Sequence, residues 1–261
     1  LFDEFEYVIS VTEAQLVAWL SPMIWPFLRV LAVFTSAPIF SSKAFPLRSR
    51  IALAFFISLA SQASLQDQPL ISLSSPEALG AVMQQVGIGL AIGFAVRLVF
   101  AAVELAGEIV GFQMGLNFAS FFDPSFNTQS SAIARFFAHM AAFMFIVANG
   151  HLLVIMAVVK SFTAFPVDQN FLEALKVMEL YELGAHLFSS GFWIALPMVG
   201  MLMFVNLAMG VVSRVAPQMN IYAIGFPITL TAGLICIAAV LPMLDQPFFA
   251  LMTQTLDLFM K

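Results

Sequence analysis

Apolar residues run through this chain in long blocks, broken by short polar loops. Three blocks, 136–159, 183–213 and 215–244, contain no Asp, Glu, Lys or Arg. Each exceeds the roughly 20 residues a helix needs to cross the hydrocarbon of a bilayer. Residues 78–96 nearly reach that length, whereas 14–40 holds Arg29 and three prolines and 51–65 is short. The pattern predicts an all-α protein with about six membrane-associated spans, near 14–40, 51–65, 78–103, 132–159, 183–213 and 215–255. A short extra segment falls at 107–122. The loops 41–50, 66–77, 123–131 and 166–182 carry the polar and turn residues. Within the last, FLEALKVMELYEL sets Leu172, Leu175, Val177, Met178, Leu180 and Leu183 against an acidic face, as in a helix lying on an interface or a partner.

The spans are heavily punctuated. Pro197, Gly200, Gly210, Pro217, Gly225, Pro227, Gly233 and Pro242 are scattered through the last third of the chain. An interior proline removes a helix hydrogen bond and collides with the preceding turn. The carbonyls so freed are tolerated at membrane depth only against protein or a water-filled cavity. Helical hairpins with kinked or broken helices, packed mainly on other protein, are therefore expected. Lys43, Arg48 and Arg50 make 41–50 the most basic loop and argue for its cytoplasmic placement, although Lys160, Lys176 and Lys261 oppose a simple alternation.

Composition agrees with the pattern. Hydrophobic residues make up 61% of the 261 positions and charged ones 10%, against about 25% charged in a soluble domain. So few charges cannot clothe a solvated surface, which makes this an integral membrane protein or a buried subunit of one. The net charge of −5 and the lack of any basic run exclude nucleic acid as a natural partner. The lone Cys236 cannot form an internal disulfide. The first residues are acidic where a signal peptide would be basic, so no cleaved leader is expected. No repeat or low-complexity tract divides the chain, and 1–261 reads as one domain.

Candidate chemistry is sparse. Arg97, Glu104 and Glu108, seven and four residues apart, share one face of a helix. They read as an intramembrane ion pair that fixes register, or as the lining of an aqueous path. His139, His151 and His186 lack metal-ligand spacing, and no serine sits in a nucleophile elbow. Neither an enzyme, a metal site nor a cofactor is expected.

The stretch GFQMGLNFASFF at 111–122 stands apart. Gly107, Gly111 and Gly115 recur every four residues and allow close helix packing. Gln113 and Asn117 would be unsatisfied in lipid, and Phe112, Met114, Leu116, Phe118, Phe121 and Phe122 surround them. Glycine also weakens a helix, by about 1 kcal/mol relative to alanine. An apolar, pliable stretch that holds amides and ends at Asp123-Pro124 fits a re-entrant loop closing a cavity, with deformable Met and Phe side chains as its seal.

Three blocks together resemble one family: RVLAVFTSAPIFSSKAFPLRSRIALA at 29–54, ELAGEIVGFQMGLNFASFFDP at 104–124 and SRVAPQMNIYAIGFPITL at 213–230. They are similar, in order and spacing, to the FliR/SctT family of the type III secretion export gate. The run R-x-x-P-Q-M-N followed by G-F-P is the most specific part. The resemblance implies a subunit buried in a hetero-oligomeric export gate in the bacterial inner membrane, at the flagellar basal body. It implies FliP-type and FliQ-type subunits as neighbours, with an FlhB-type switch protein and an FlhA-type export protein on the cytoplasmic side. Unfolded flagellar proteins would pass through the channel. The segment corresponding to 107–122 would be its plug, with Gly107, Gly111 and Gly115 allowing it to fold and swing. Phe112, Met114, Leu116 and Phe118 would seal it, and Gln113 and Asn117 would bond the facing loops. Arg29, Pro38, Pro46, Arg48, Arg50, Arg214, Pro217, Gln218, Met219, Asn220, Gly225 and Pro227 match the family motifs and are expected at subunit contacts. Two rivals remain: a virulence-type, SctT-like gate subunit, and a stand-alone secondary transporter coupled through Glu104 and Glu108.

Overall fold

Helices account for every regular element of the computed structural model, which describes residues 13–62, 71, 75–116, 130–168, 180–218 and 221–260, without the side chains of 13–21, 180 and 221–223. In chain order these are α1 (Glu13–Ser36), α2 (Pro38–Ser41), α3 (Leu47–Ser61), α4 (Ala78–Gln113), α5 (Ala132–Val147), α6 (Gly150–Ala164), α7 (Leu180–Val215), α8 (Ile221–Val240) and α9 (Asp245–Asp257). A 3₁₀ turn, Leu241–Met243, joins the last two. The amphipathic stretch expected at 171–183 lies mostly outside the described residues.

Among the described residues three helical stretches are long and apolar enough to cross a bilayer: α4, most of α7, and 224–243. A fourth is possible if α5 and α6, bent by 69° at their junction, count as one. Hydropathy anticipated six. The region 14–40 holds the 24-residue α1, of which 22–36 is apolar among the residues with described side chains, and 51–65 holds part of the 15-residue α3.

Two expected boundaries differ. Hydropathy falls after 103 because Glu104 and Glu108 enter, yet α4 continues unbroken through both to Gln113. Conversely, 132–159 reads as one apolar run but breaks at Ala148-Asn149. Asn149 adopts φ 56°, a left-handed conformation that asparagine tolerates better than most residues. Its carbonyl accepts the N–H groups of Leu152 and Leu153 at 2.9 and 3.3 Å, which starts α6. The next residue must be small, since a Cβ at Gly150 would stand 2.6 Å from the Phe145 ring.

Packing divides the chain into two compact units. The first comprises 1–93, 155–178 and 259–261. In it α1 lies along the start of α4, with Gly89 and Gly93 removing the Cβ atoms that would strike Arg29 O and Ser36 Oγ. Trp25, Ala81 and Val167 form a small apolar core there, and Trp25 Nε1 donates to Ile71 O at 3.2 Å. The second unit comprises 94–154 and 179–258. Here α5, α7 and α8 pack against the end of α4, and the Phe100 ring meets Phe145 in a tilted contact at 5.6 Å and Phe248 edge-on at 6.0 Å. The apolar window of α4 is 56% buried, against 22% in α7 and 17% in 224–243. Of these three, α4 is thus the most enclosed, and α7 and α8 carry the apolar surface that lipid or other chains must cover.

Candidate functional site

The end of α4 is where the sequence placed its most unusual stretch. Residues 107–113, expected within a re-entrant segment, form the last two turns of this helix. Gly107 and Gly111 serve close approach rather than flexibility. A Cβ at 107 would come within 2.8 Å of Ala134 Cα, and one at 111 within 3.0 Å of Ser131 Oγ, so both glycines seat α4 on the start of α5. Gly115 serves a conformation: its φ of +79° turns the chain out of the helix, while space for a side chain exists. The turn is closed by Met114 N–H to Val110 O at 2.9 Å and Gly115 N–H to Phe112 O at 3.0 Å.

Side chains around this turn point in different directions. Phe112 is 59% exposed, Gln113 and Leu116 are half-buried, and Met114 is wholly buried. Met114 lies on the bare backbone of Gly233 in α8, where a Cβ would meet its Cγ, Sδ and Cε at 2.5, 2.6 and 2.7 Å. Thr229, one turn earlier on α8, brings its hydroxyl to 3.3 Å from Met114 O. Met114, expected in the seal, therefore belongs to the root of the segment. Asn117 and Phe118 lie outside the described residues, as does the remainder of 117–122.

The expected pairing of Arg97 with Glu104 and Glu108 does not form among the described residues. Arg97 is exposed, and no carboxylate pairs with it among the described residues. Seven residues of helix put about 10 Å of rise between the Arg97 and Glu104 backbones, two turns rather than the one turn of a close i, i+4 pair. The carboxylates instead meet the start of α5. Glu104 accepts from Ser130 Oγ at 2.7 Å and Glu108 from the Ser131 N–H at 2.8 Å. Ser131 in turn caps α5, accepting from the Ala134 N–H at 3.1 Å. Negative charge at a helix N-terminus is stabilised by the unpaired N–H groups and the dipole there.

Arg29, expected at a contact with another subunit, has no exposed surface. Its Nε donates to Gln85 Oε1 at 2.8 Å, one terminal nitrogen to Ser161 Oγ at 2.9 Å and the other to Phe165 O at 2.7 Å. The guanidinium also lies 3.9 Å from the centre of the Phe162 ring. Gln85 Nε2 donates to Gln84 Oε1, which also accepts the Asp168 N–H, both at 2.8 Å. This buried network joins α1, α4 and the end of α6 within the first unit.

The other motif residues have plainer places. Pro38 opens α2 and Pro46 precedes α3, where a missing N–H costs nothing. Arg50 folds the intervening loop by donating to Phe45 O and Ser42 O at 3.1 and 2.7 Å. Arg48 is exposed, as are Arg214 in the last turn of α7 and Pro217 and Gln218 after it. Gly225 and Pro227 sit in α8, and Met219 and Asn220 lie outside the described residues. Among the described residues no cluster of His, Cys, Asp or Glu could hold a metal ion. Sequence reasoning missed Gln84, Gln85, Ser161 and Thr229, and counted Gly233 only as punctuation. Two adjacent glutamines inside an apolar run were the available signal, since each needed a buried partner.

An all-helical chain with broken, bilayer-length apolar helices defines the class as a helical membrane protein. Residues 20–255 match the family model described as bacterial export proteins, family 1, and the chain belongs to that family. It is similar to the flagellar biosynthetic protein FliR of Escherichia coli (strain K12), 40% identical over 243 residues covering 92% of each chain. The FliR of Pectobacterium carotovorum subsp. carotovorum is 37% identical over 96% of each chain. That of Bacillus subtilis (strain 168) is 30% identical over 80% of this chain and 82% of its own.

Proposed function

We propose that this chain is a core subunit of the flagellar type III protein export gate, forming part of the channel that passes unfolded flagellar proteins across the inner membrane at the basal body. The observation that carries the reading is similarity along nearly the whole chain to proteins named flagellar biosynthetic protein FliR. It favours the flagellar system over a virulence-type one. The role is structural rather than enzymatic, with energy supplied by other components. FliP-type and FliQ-type subunits cover the apolar faces of α7 and α8, and FlhB-type and FlhA-type proteins meet the gate on its cytoplasmic side.

In this reading the segment from Phe112 onward closes the channel. Phe112 and Leu116 supply apolar surface at its start, Gln113 and Asn117 bond facing loops, and Phe118 extends the seal. The turn at Gly115 supports this role, because it directs the chain out of α4 at a fixed point. The buried root, Met114, keeps that point in register with α8.

Co-expression tests the assembly. The chain should stay in detergent solution in a defined complex with FliP-type and FliQ-type subunits, read by native mass spectrometry, and aggregate when expressed alone. A stable, functional monomer would overturn the proposal in favour of a stand-alone transporter.

A further inference from the structure

We infer that Gly233 and Thr229 of α8 are positioning residues that latch the turn 114–116, and hence the start of the segment that follows it. Three observations converge on one spot. Met114 is wholly buried although it stands at the exit of a helix, next to an exposed Phe112. The three atoms nearest a Cβ at Gly233 all belong to the Met114 side chain, so the notch in α8 is shaped to this one residue. One turn away the Thr229 hydroxyl reaches Met114 O, while a Cβ at Gly115, whose φ is +79°, would lie 3.6 Å from the Phe226 ring of α8. Side chain, carbonyl and following backbone are each met by the same helix face.

The two residues do not contribute equally. The single Thr229 proton is shared among Met114 O at 3.3 Å and the carbonyls of Gly225 and Phe226 at 3.1 Å each. Gly233 therefore dominates. Alanine is the better helix former, so a glycine without a packing role would gain from replacement by it. At 233 the opposite outcome is expected, because the added methyl would displace the Met114 side chain, whose Cγ as well as Sδ and Cε lie in its way.

Amide hydrogen exchange of 113–116, measured by mass spectrometry on the full chain in its purified complex, tests this. Gly233→Ala should speed exchange there by about tenfold, and Thr229→Val by about twofold, with 81–92 unchanged as an internal control. Shortening the expelled side chain in Met114→Ala/Gly233→Ala should recover most of the protection. That recovery separates a specific seat from general damage to α8. Should Gly233→Ala fail to accumulate, Met114→Ala alone empties the notch and should raise exchange by severalfold. Unchanged exchange in Gly233→Ala or in Met114→Ala, or a double variant no better protected than Gly233→Ala, overturns the inference. Its consequence for gating rests on the proposed function, and the readouts separate the two. Faster exchange upholds the latch whether or not ions leak, and an ion-tight Gly233→Ala complex counts against the gating reading alone.

Discussion

Arg29 has no exposed surface, and among the described residues no carboxylate lies against it, so its charge is held by neutral oxygens and one aromatic face. Burying a guanidinium is costly unless its N–H groups are bonded. Here three nitrogens find acceptors on α4, on α6 and at Phe165 just beyond it. Truncation would leave Gln85, Ser161 and the Phe165 carbonyl short of partners, each worth about 1–3 kcal/mol when buried. Arg29→Met should therefore lower stability by on the order of 3 kcal/mol. Arg29→Lys should recover only part of it, since an ammonium cannot reproduce the planar fork. Thermal unfolding of the purified complex reads both, and a melting temperature unmoved by Arg29→Met would contradict the account. A charge inside an apolar run requires a partner, and that much was legible in the sequence. Its identity was not legible, because the acceptors lie 56 to 136 positions away.

At the scale of elements, α4 decides the arrangement. Hydropathy treats Glu104 and Glu108 as the end of a span, but hydrogen bonds to Ser130 and Ser131 let the helix run through them. The glycine row was readable as a packing strip, and Gly107 and Gly111 do pack closely on α5. That Gly115 makes a turn instead was not, because the same four-residue spacing serves both. Nor does hydropathy register a bend, so 132–159 looked like one span although Asn149 breaks it. The carboxylates offer a discriminating prediction. Glu104→Gln and Glu108→Gln keep an acceptor oxygen for the serines and lose the charge at the start of α5, worth about 0.3–1 kcal/mol. Each variant should support swimming in soft agar close to wild type. Loss of motility in either, with normal protein levels, would favour carboxylates that carry protons or ions.

For the whole molecule, the surface is the argument. Trp193, Phe204, Leu207 and Val215 along α7 are each at least 71% exposed, far more apolar area than an isolated soluble chain sustains. Such a surface makes sense against lipid or neighbouring subunits, and membership in the bacterial export proteins, family 1, is consistent with it. Composition made this legible at once. Which chains cover the surface depends on shapes that no single sequence contains.

The central claim is that the segment leaving α4 at Gly115 closes the channel of the assembled gate. Ion flux through the complete complex reconstituted in vesicles tests it most directly. The deletion starts at 116, so that α4, its closing turn and the Met114 seat are kept. Vesicles bearing the wild-type chain should hold a potassium gradient, whereas removal of 116–122 should collapse it at unchanged complex stoichiometry. A deleted complex as ion-tight as wild type would contradict the account.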